Sequence, residues 1–470
     1  MLRALLLSAC LVASATPAAP PPLQQRVLPN GLTVLVAEDH SQPLVTVEIA
    51  AHNGSLTEPP DYNGLSHLYE HMFFKGNQVT PDQAAWLSRA RALGMVWNGT
   101  TNTERVNYYF TTTSEKFPDA LAFMRDAIVT PRFDPQELEK ERVVVTGEID
   151  RNESNPFYYL FHESSQRIWW KYPSRKDPLG NRQTVLKASV AQMKTIKERY
   201  YVPNNSLLVV TGDVKAEDVF ERAGTLFATW KRAPDPFAKF PLVQHPPLPQ
   251  TSVVLVQQPV GSVTGTLTWH GPSAKGDELN HTYAADLMGF AVAEPSSKFQ
   301  RALVDSGACA SVSFSWFTQV NVGPVTVSFD ATPQTVDQCI AAIRSELEKM
   351  SAPDYLSDEE MANAAFHAEM DAVREREKPS ELAHTLSFWW TSAGLDYYLG
   401  YVANLKKVSR PQMAAFLDRY VLGKPFVLSV MVSPEAAKGG LDLQHFEKLV
   451  DAKPWHEPKA AKSTKAEVLR

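Results

Sequence analysis

The alternation of apolar and polar residues predicts several strands in the first half of the chain. Leu44–Ala51 alternates as a half-buried strand does, and Val106–Thr112 is rich in the β-branched and aromatic residues that favour strands. Arg26–Leu28 and Thr33–Val36 flank Pro29-Asn30-Gly31, a turn sequence typical of a β-hairpin.

Helical periodicity is found between these strands and after them. Gly64–Lys75, Pro118–Val129 and Asp134–Asn152 place apolar residues at the spacing of an α-helix. Helices combined with strands that pair mostly through hairpins predict an α+β fold, with helices packed on a mixed and mostly antiparallel sheet.

The second half of the chain repeats the pattern of the first. Tyr201-Val202 and Tyr420-Val421, 219 positions apart, each precede an apolar run that predicts a buried strand. Asp61–Met72 can be laid over Asp277–Met288 at an offset of 216. Because two independent offsets agree, we predict two duplicated domains.

A proline-rich stretch separates the two halves. Residues 233–250 contain six prolines and no long periodic pattern, as expected for an extended linker. We therefore predict a first domain at 20–232, a homologous second domain at 251–452 and a disordered tail at 453–470.

Composition excludes some classes of protein. The 470 residues are 44% hydrophobic and 21% charged, which is typical of a globular protein of two to four domains. The net charge of −6 gives no broad electrostatic basis for binding nucleic acid or anionic membranes. No apolar run reaches the roughly 18–20 residues of a transmembrane helix.

The N-terminus predicts export. Met-Leu-Arg is followed by the apolar run Ala4–Ala13 and by Ala13-Ser14-Ala15, the layout of a secretory signal, which we assign to residues 1–19. Cys10 lies in a sequence that also fits a lipoprotein signal, so lipid anchoring is the alternative. We expect a periplasmic or otherwise exported protein.

Two cysteines remain after the predicted signal. Cys309 and Cys339 are too few for a disulfide framework and lack the spacing of a metal site. We expect both to be buried thiols.

The sequence His67-Leu68-Tyr69-Glu70-His71 predicts a metal site. On a helix, His67 and His71 lie one turn apart on the same face, and Glu70 lies beside them. Two imidazoles suit Zn²⁺, which needs a third protein ligand and a water in a catalytic site, and Glu70 could take a proton from that water. The alternative is an exposed helix face with incidental histidines.

A second helix offers carboxylates for this site. Glu141 and Glu148 are seven positions apart and share a face, and we expect the triplet Val143–Val145 to pack that helix inward. Two such carboxylates taken alone are more often solvated, but the histidine pair lacks a third ligand.

With these residues the sequence resembles the pitrilysin/insulinase family of zinc metallopeptidases, whose motif is His-x-x-Glu-His. As in the family, 76 residues separate His71 from Glu148. Leu28–Leu32, Gly54-Ser55 with Glu58, and Phe74–Gly76 are further matches. The resemblance implies one zinc ion bound by His67, His71 and Glu148. It also implies that Glu70 is the general base and that Glu141 supports the ligands.

The resemblance extends to a substrate strand. Asn98, Gly99, Thr100 and Thr101 stand where the family has Asn-Ala-x-Thr, a segment to which peptide substrates add as an extra strand. Main-chain hydrogen bonds of this kind give broad peptide specificity. An ordinary Asn-Gly turn is the alternative.

The second half departs from the family in two places. The register of Ser297, Phe299 and Gly307 puts Leu303 and Ala310 where the family has an Arg and a Tyr that stabilise the oxyanion, and neither replacement donates such a hydrogen bond. Tyr283, Asp286 and Leu287 replace the first-half His-x-x-Glu-His residues. Single-chain family members form a clam-like chamber of four domains, and this chain has two.

We therefore expect a zinc endopeptidase subunit that hydrolyses short or unfolded peptides and forms half of such a chamber. A homologous zinc-free subunit would supply the Arg/Tyr pair, so a heterodimer is favoured over a homodimer. A non-catalytic peptide-binding or scaffold subunit of the same family is the alternative.

Overall fold

The computed structural model describes residues 23–456. The predicted signal peptide at 1–19, with Cys10, and all but the first four residues of the predicted tail at 453–470 lie outside the described residues. Within residues 23–456, no helix is both long enough and apolar enough to cross a membrane.

The described chain is built on two β-sheets. The first has the strand order β1-β2-β6-β3-β5-β4 and the second β7-β11-β8-β10-β9. The strands of the first sheet are β1 (Leu23–Val27), β2 (Thr33–Glu38), β3 (Leu44–Ala51), β4 (Val96–Thr101), β5 (Val106–Thr113) and β6 (Ser206–Gly212). Those of the second are β7 (Ser252–Gln257), β8 (Val263–His270), β9 (Ser311–Trp316), β10 (Pro324–Ala331) and β11 (Val427–Val432).

Helices follow the strands of each sheet in a similar order. In the first half they are α1 (Leu65–Phe73), α2 (Gln83–Ala92), α3 (Phe117–Val129), α4 (Pro135–Glu153), α5 (Pro156–Ile168), α6 (Arg182–Lys187), α7 (Val190–Tyr200), α8 (Ala216–Leu226) and α9 (Pro236–Lys239). In the second half they are α10 (Leu279–Ala293), α11 (Lys298–Gln300), α12 (Val336–Lys349), α13 (Asp358–Arg374), α14 (Pro379–Ser392), α15 (Leu395–Leu405), α16 (Arg410–Tyr420), α17 (Pro434–Lys438) and α18 (Leu443–Leu449).

The two sheets have the same topology, which confirms the predicted duplication. Strands β2 and β6 are parallel, and so are their counterparts β7 and β11, whereas every other pair within either sheet is antiparallel. Helix α10 follows β8 as α1 follows β3. The first sheet differs by its extra edge strand β1, which forms the predicted hairpin with β2.

Each sheet packs against helices on both faces. One face of the first sheet forms a core with α1, α3 and α8, and its other face packs Leu35 and Val209 against Leu382 and Leu386 of α14. The second sheet likewise contacts its own helices on one face, while Leu160 of α5 lies on the other. The halves therefore exchange a helix, each covering the sheet of the other.

The prediction that Cys309 and Cys339 are free thiols was wrong. They form a disulfide whose Cα atoms are 4.9 Å apart, and it joins the segment before β9 to α12. Thirty positions separate them, so only the fold, which lays α12 beside the start of β9, brings them together.

The prediction that Val143–Val145 packs α4 inward was wrong for two of the three residues. Val143 is 65% exposed and Val144 45% exposed, and only Val145 is buried. The inner face of α4 at this level carries Glu141, Val145 and Glu148, because a carboxylate pair seven positions apart occupies the helix stripe that faces α1.

Candidate metal centre

Helix α1 begins at a position that only glycine adopts easily. Gly64, its N-cap residue, has a φ of 91°. The buried carboxylate of Glu58 accepts hydrogen bonds from the backbone N–H of Gly64 at 2.8 Å and of Ser66 at 2.5 Å, which satisfies donors of the first turn. Burial raises the pKa of Glu58 to about 7, although these two bonds oppose the shift.

Three candidate ligands converge between α1 and α4. His67 Nε2 lies 3.3 Å from His71 Nε2 and 3.4 Å from Glu148 Oε2, and His71 Nε2 lies 3.8 Å from the same carboxylate oxygen. These are the only His, Cys, Asp or Glu side chains within residues 23–456 that form a group able to hold a metal ion.

The spacing of these atoms fits zinc. Ligands bound tetrahedrally at 2.0–2.1 Å lie about 3.3 Å from one another, close to the three observed separations. Two histidines and one carboxylate leave the fourth position open, which is the composition of catalytic zinc sites. The residues present therefore fit the metal.

Glu141 contacts the ring nitrogen of His71 that is not part of the candidate ligand group. Its Oε2 lies 3.0 Å from His71 Nδ1, and Lys75 donates to its Oε1 at 2.7 Å. Burial alone would raise the pKa of Glu141, but His71 and Lys75 together lower it below its ordinary value. An ionised Glu141 accepts a hydrogen bond from Nδ1–H of His71 and so leaves Nε2 free for a metal.

The two histidines have different electrostatic surroundings. Burial lowers the pKa of His67 to about 4, the neighbouring His71 adds to this shift, and the backbone carbonyl of Leu179 opposes it. Burial also lowers the pKa of His71, but Glu141, Glu148 and Glu70 together raise it above its ordinary value. His67 Nδ1 is buried and has no hydrogen-bond partner among the described residues.

Glu70 is held against strand β4. The Thr101 hydroxyl donates to its Oε2 at 2.8 Å. A Cβ added to Gly99 would lie 2.9 Å from both Cγ and Oε1 of Glu70, so the glycine makes room for this side chain. Burial raises the pKa of Glu70, and the Thr101 bond opposes the shift.

The predicted substrate strand lies at an edge of the first sheet. Within residues 23–456, β4 pairs only with β5, and Asn98 and Thr100 are exposed along it, whereas Gly99 is buried. The Thr100 hydroxyl bonds to the side chain of Asn107. Strand β4 thus contacts Glu70 through two residues and leaves an edge beside the candidate ligands.

The second half brings no comparable group together within the described residues. Tyr283 and Leu287 are buried in its core, and burial raises the pKa of the half-buried Asp286 to about 7, with Tyr401 and Tyr397 opposing the shift. Leu303 is buried in the same core and Ala310 is exposed.

Three contacts of the centre were missed from the sequence. These are the Lys75–Glu141 ion pair, the Thr101–Glu70 bond and the Glu58 cap of α1. Lys75 follows His71 by one helical turn, so helix spacing could have placed it near the site. The Thr101–Glu70 bond joins residues 31 positions apart, and the Glu58 cap depends on the conformation of the loop directly before α1, so neither has a clear sequence signal.

Comparison with known families covers both halves. The family model described as Insulinase (Peptidase family M16) matches residues 33–176, and the one described as Peptidase M16 inactive domain matches residues 187–366.

Curated relatives match over part of their length. An uncharacterized zinc protease of Rickettsia bellii is 29% identical over 203 residues, which are 43% of this chain and 49% of that protein. The human insulin-degrading enzyme is 27% identical over 226 residues, 47% of this chain and 22% of the enzyme. The chain thus spans about half the length, or less, of these curated relatives.

Solved structures show the same fold at lower identity. A Helicobacter pylori protease has a TM-score of 0.78 at 18% identity, and the match covers 88% of this chain and 100% of that protease chain. The first half of the Escherichia coli periplasmic protease PqqL has a TM-score of 0.75 at 16% identity, over 93% of this chain and 99% of that half. The whole of PqqL is covered to 51%. With both family models matched in order and the fold shared, the chain belongs to the insulinase family of peptidases, M16.

Proposed function

We propose that this chain is the zinc-bearing catalytic subunit of an endopeptidase. His67, His71 and Glu148 bind one zinc ion, Glu70 is the general base, and Glu141 orients His71. The observation that carries this proposal is the set of three separations, 3.3, 3.4 and 3.8 Å, among the three ligand atoms. The zinc proteases among its relatives support it.

When bound, zinc acidifies a water molecule and polarises the peptide carbonyl. Glu70 takes the proton of the attacking water and returns it to the leaving amine. The hydrogen bond from Thr101 to Oε2 fixes the orientation of the Glu70 carboxylate for this role. Glu141 and Lys75 hold the His71 ring with its Nε2 toward the ligand group.

The substrate adds to the exposed edge of β4 as an antiparallel or parallel strand. The backbone groups of Asn98, Gly99, Thr100 and Thr101 bind its main chain, which favours short or unfolded peptides over folded proteins. The bond from Thr101 to Glu70 supports this arrangement, since it joins the strand to the base.

The active enzyme requires a second, homologous chain without a zinc site. Leu303 and Ala310 cannot donate to an oxyanion, so a partner supplies the Arg/Tyr pair and closes the chamber. The match to one half of PqqL, and to 51% of the whole, supports a two-part arrangement. A homodimer would lack the donors.

The protein acts after export. The Cys309–Cys339 disulfide supports an oxidising compartment such as the periplasm, where PqqL resides. The predicted signal at 1–19 agrees with this location.

The Glu70→Gln variant tests the proposal that the chain is a catalytic subunit. Hydrolysis of an unfolded fluorogenic peptide is measured for the wild-type chain and for Glu70→Gln, each alone and with a candidate homologous partner. We expect the variant to keep zinc and to lose at least about a hundredfold in turnover, since Gln cannot accept the proton. Zinc-loaded wild type with no turnover in either state would favour the alternative, a non-catalytic peptide-binding or scaffold subunit.

A further inference from the structure

We infer that the segment Pro173–Asn181 is a positioning element for the metal centre, acting through a backbone contact between Gly180 and Gly64 at the start of α1. This inference rests on the proposed zinc site. It assigns a role to residues outside the ligand set and gives the metal-free half of the chain a part in holding the metal.

The contact between the two glycines leaves no room for a side chain. A Cβ on Gly180 would lie 2.1 Å from Gly64 Cα and 2.6 Å from Gly64 N. A Cβ on Gly64 would lie 2.8 Å from Gly180 Cα and 3.1 Å from the carbonyl oxygen of Leu179. Both glycines have a positive φ, 91° and 86°, so the sequence permits this crossing only with glycine at both positions.

Hydrogen bonds hold the segment against the beginning of α1. Asn63 Nδ2 donates to the carbonyl oxygens of Ser174 at 3.2 Å and Asp177 at 3.0 Å. The backbone N–H of Asn181 donates to the carbonyl of Asn63 at 3.4 Å, and that of Gly180 donates to Oδ1 of Asp177 at 3.2 Å. Asn63, the residue directly before Gly64, therefore ties the segment to the start of α1.

The crossing lies three residues before a metal ligand. His67 is in the first turn of α1, and the carbonyl oxygen of Leu179 lies beside the start of this helix, 3.1 Å from where a Cβ on Gly64 would be. Binding of metal at Nε2 leaves the proton on Nδ1, which has no hydrogen-bond partner among the described residues. Leu179 directly precedes Gly180 and its carbonyl lies beside Gly64, so moving Gly180 would move both the start of α1 and this neighbouring carbonyl.

The same segment is anchored in the second half of the chain. The buried ammonium of Lys176 donates to the carbonyl oxygens of Asn321 and Val322, each at 2.8 Å, and to the side chain of Gln319. The buried Glu104, in the turn between β4 and β5, accepts from the backbone N–H of Val320 at 3.0 Å. The loop between β9 and β10 thus holds both the segment that orients His67 and the hairpin that contacts Glu70.

The first test compares two glycine variants of the full chain. Gly180→Ala introduces the clash, while Gly394→Ala is its control, because Gly394 has a φ of 89° and open space around a Cβ. Both variants carry the strain of an alanine at positive φ. Affinity for Zn²⁺ is measured by competition with a chelating dye, alongside the thermal midpoint of the metal-free protein.

The second test uses two asparagine variants that introduce no steric clash. It tests the role of the segment even if Gly180→Ala does not fold. Asn63→Ala removes two side-chain bonds to backbone carbonyls. Asn30→Ala removes two bonds of the same kind, to Phe227 at 2.9 Å and Trp230 at 3.0 Å, elsewhere in the first half.

We expect Gly180→Ala and Asn63→Ala to weaken zinc binding about 10- to 100-fold, the usual effect of losing a group that orients a ligand. Gly394→Ala and Asn30→Ala should keep the wild-type zinc affinity even where the thermal midpoint falls. Unchanged zinc affinity in the folded test variants, or equal losses in the controls, would overturn the inference. A wild-type chain that binds no zinc would instead overturn the proposed metal site itself.

Discussion

Glu70 shows at the scale of single residues how the candidate site is arranged. Its Oε2 accepts from Thr101, and its methylene group and Oε1 lie where a side chain at position 99 would be. The carboxylate is therefore held between α1 and β4 before any substrate binds. In the proposed role of general base, a carboxylate held in this way would lose little freedom when the reaction begins.

Replacing Thr101 by valine removes the bond to Glu70 and keeps the shape of the side chain. We expect turnover of an unfolded peptide to fall roughly three- to tenfold, the value of one hydrogen bond, with zinc content unchanged. Thr101→Ser should restore most of the activity because it keeps the hydroxyl.

A matched control lies on the neighbouring strand. Thr111 bonds to Thr46 at 2.8 Å within the first sheet, so Thr111→Val removes a side-chain bond of the same kind away from Glu70. If both valine variants lower turnover equally, the Thr101 contact has no specific role.

The candidate ligand group could be recognised in the sequence because its signal is local or follows a known spacing. His67, Glu70 and His71 lie within two helical turns, and Glu148 was found through the resemblance to a family. Thr101 was predicted as a substrate contact, and its bond to Glu70 was not foreseen. That bond depends on the register between α1 and β4, which no short stretch of sequence contains.

At the scale of elements, periodicity predicted the positions of strands and helices more reliably than their faces. Strand β3 has the predicted bounds, and α4 covers Pro135–Glu153 where Asp134–Asn152 was expected. The outward direction of Val143 and Val144 was missed, because apolar residues were assumed to face the core. Glu141 and Glu148 lie on that face instead, where they contact His71 and His67 of α1.

The disulfide that links α12 to the segment before β9 is expected to stabilise the fold. Cys309 and Cys339 close a loop of 30 residues, and in the chain-entropy account such a crosslink stabilises the fold by about 3–4 kcal/mol. We expect a reducing agent to lower the thermal midpoint of the wild-type chain.

The matched control for the disulfide is the double variant Cys309→Ala/Cys339→Ala. Its midpoint should be low with or without reducing agent, because it has no crosslink to break. A wild-type midpoint that does not respond to full reduction, checked by thiol counting, would show that the bond adds nothing to stability.

At the scale of the whole molecule, the two halves form one unit because each covers a sheet of the other. Helix α5 contacts β7, β8 and β11, and α14 contacts β3 and β6. Neither sheet would be buried on both faces if the halves were separated. The duplication was visible in the sequence, but this exchange was not, since both helices look like ordinary amphipathic segments.

We expect the contact between the halves to be sensitive to acid. His270 of β8 stacks on Trp169 at 4.8 Å and donates from Nε2 to the carbonyl of Ile168 at 2.9 Å. Burial lowers its pKa to about 4, with the nearby Lys176 adding to the shift, so it is neutral when folded and becomes protonated below pH 6.5 when unfolded. Its contribution to stability is present above pH 6.5 and is lost as the pH falls toward 4.

His270→Gln tests this dependence, because glutamine keeps a donor for Ile168 and does not titrate. Between pH 7 and 4, the free energy of unfolding of the metal-free chain should fall less for this variant than for the wild type, by up to roughly 3 kcal/mol. The exposed His456→Gln is the control and should follow the wild type. If the free energy of unfolding falls equally with pH for all three proteins, His270 is not the source of the acid sensitivity.

The zinc content of the purified chain tests the metal centre most directly. Elemental analysis of the wild type should give one zinc per chain, and Glu148→Ala, shown to be folded by circular dichroism, should give none. Glu139→Ala, which changes an exposed carboxylate on the same helix, should keep the metal. A wild-type chain that remains metal-free after incubation with Zn²⁺, or a Glu148→Ala chain that retains it fully, would contradict the proposed centre.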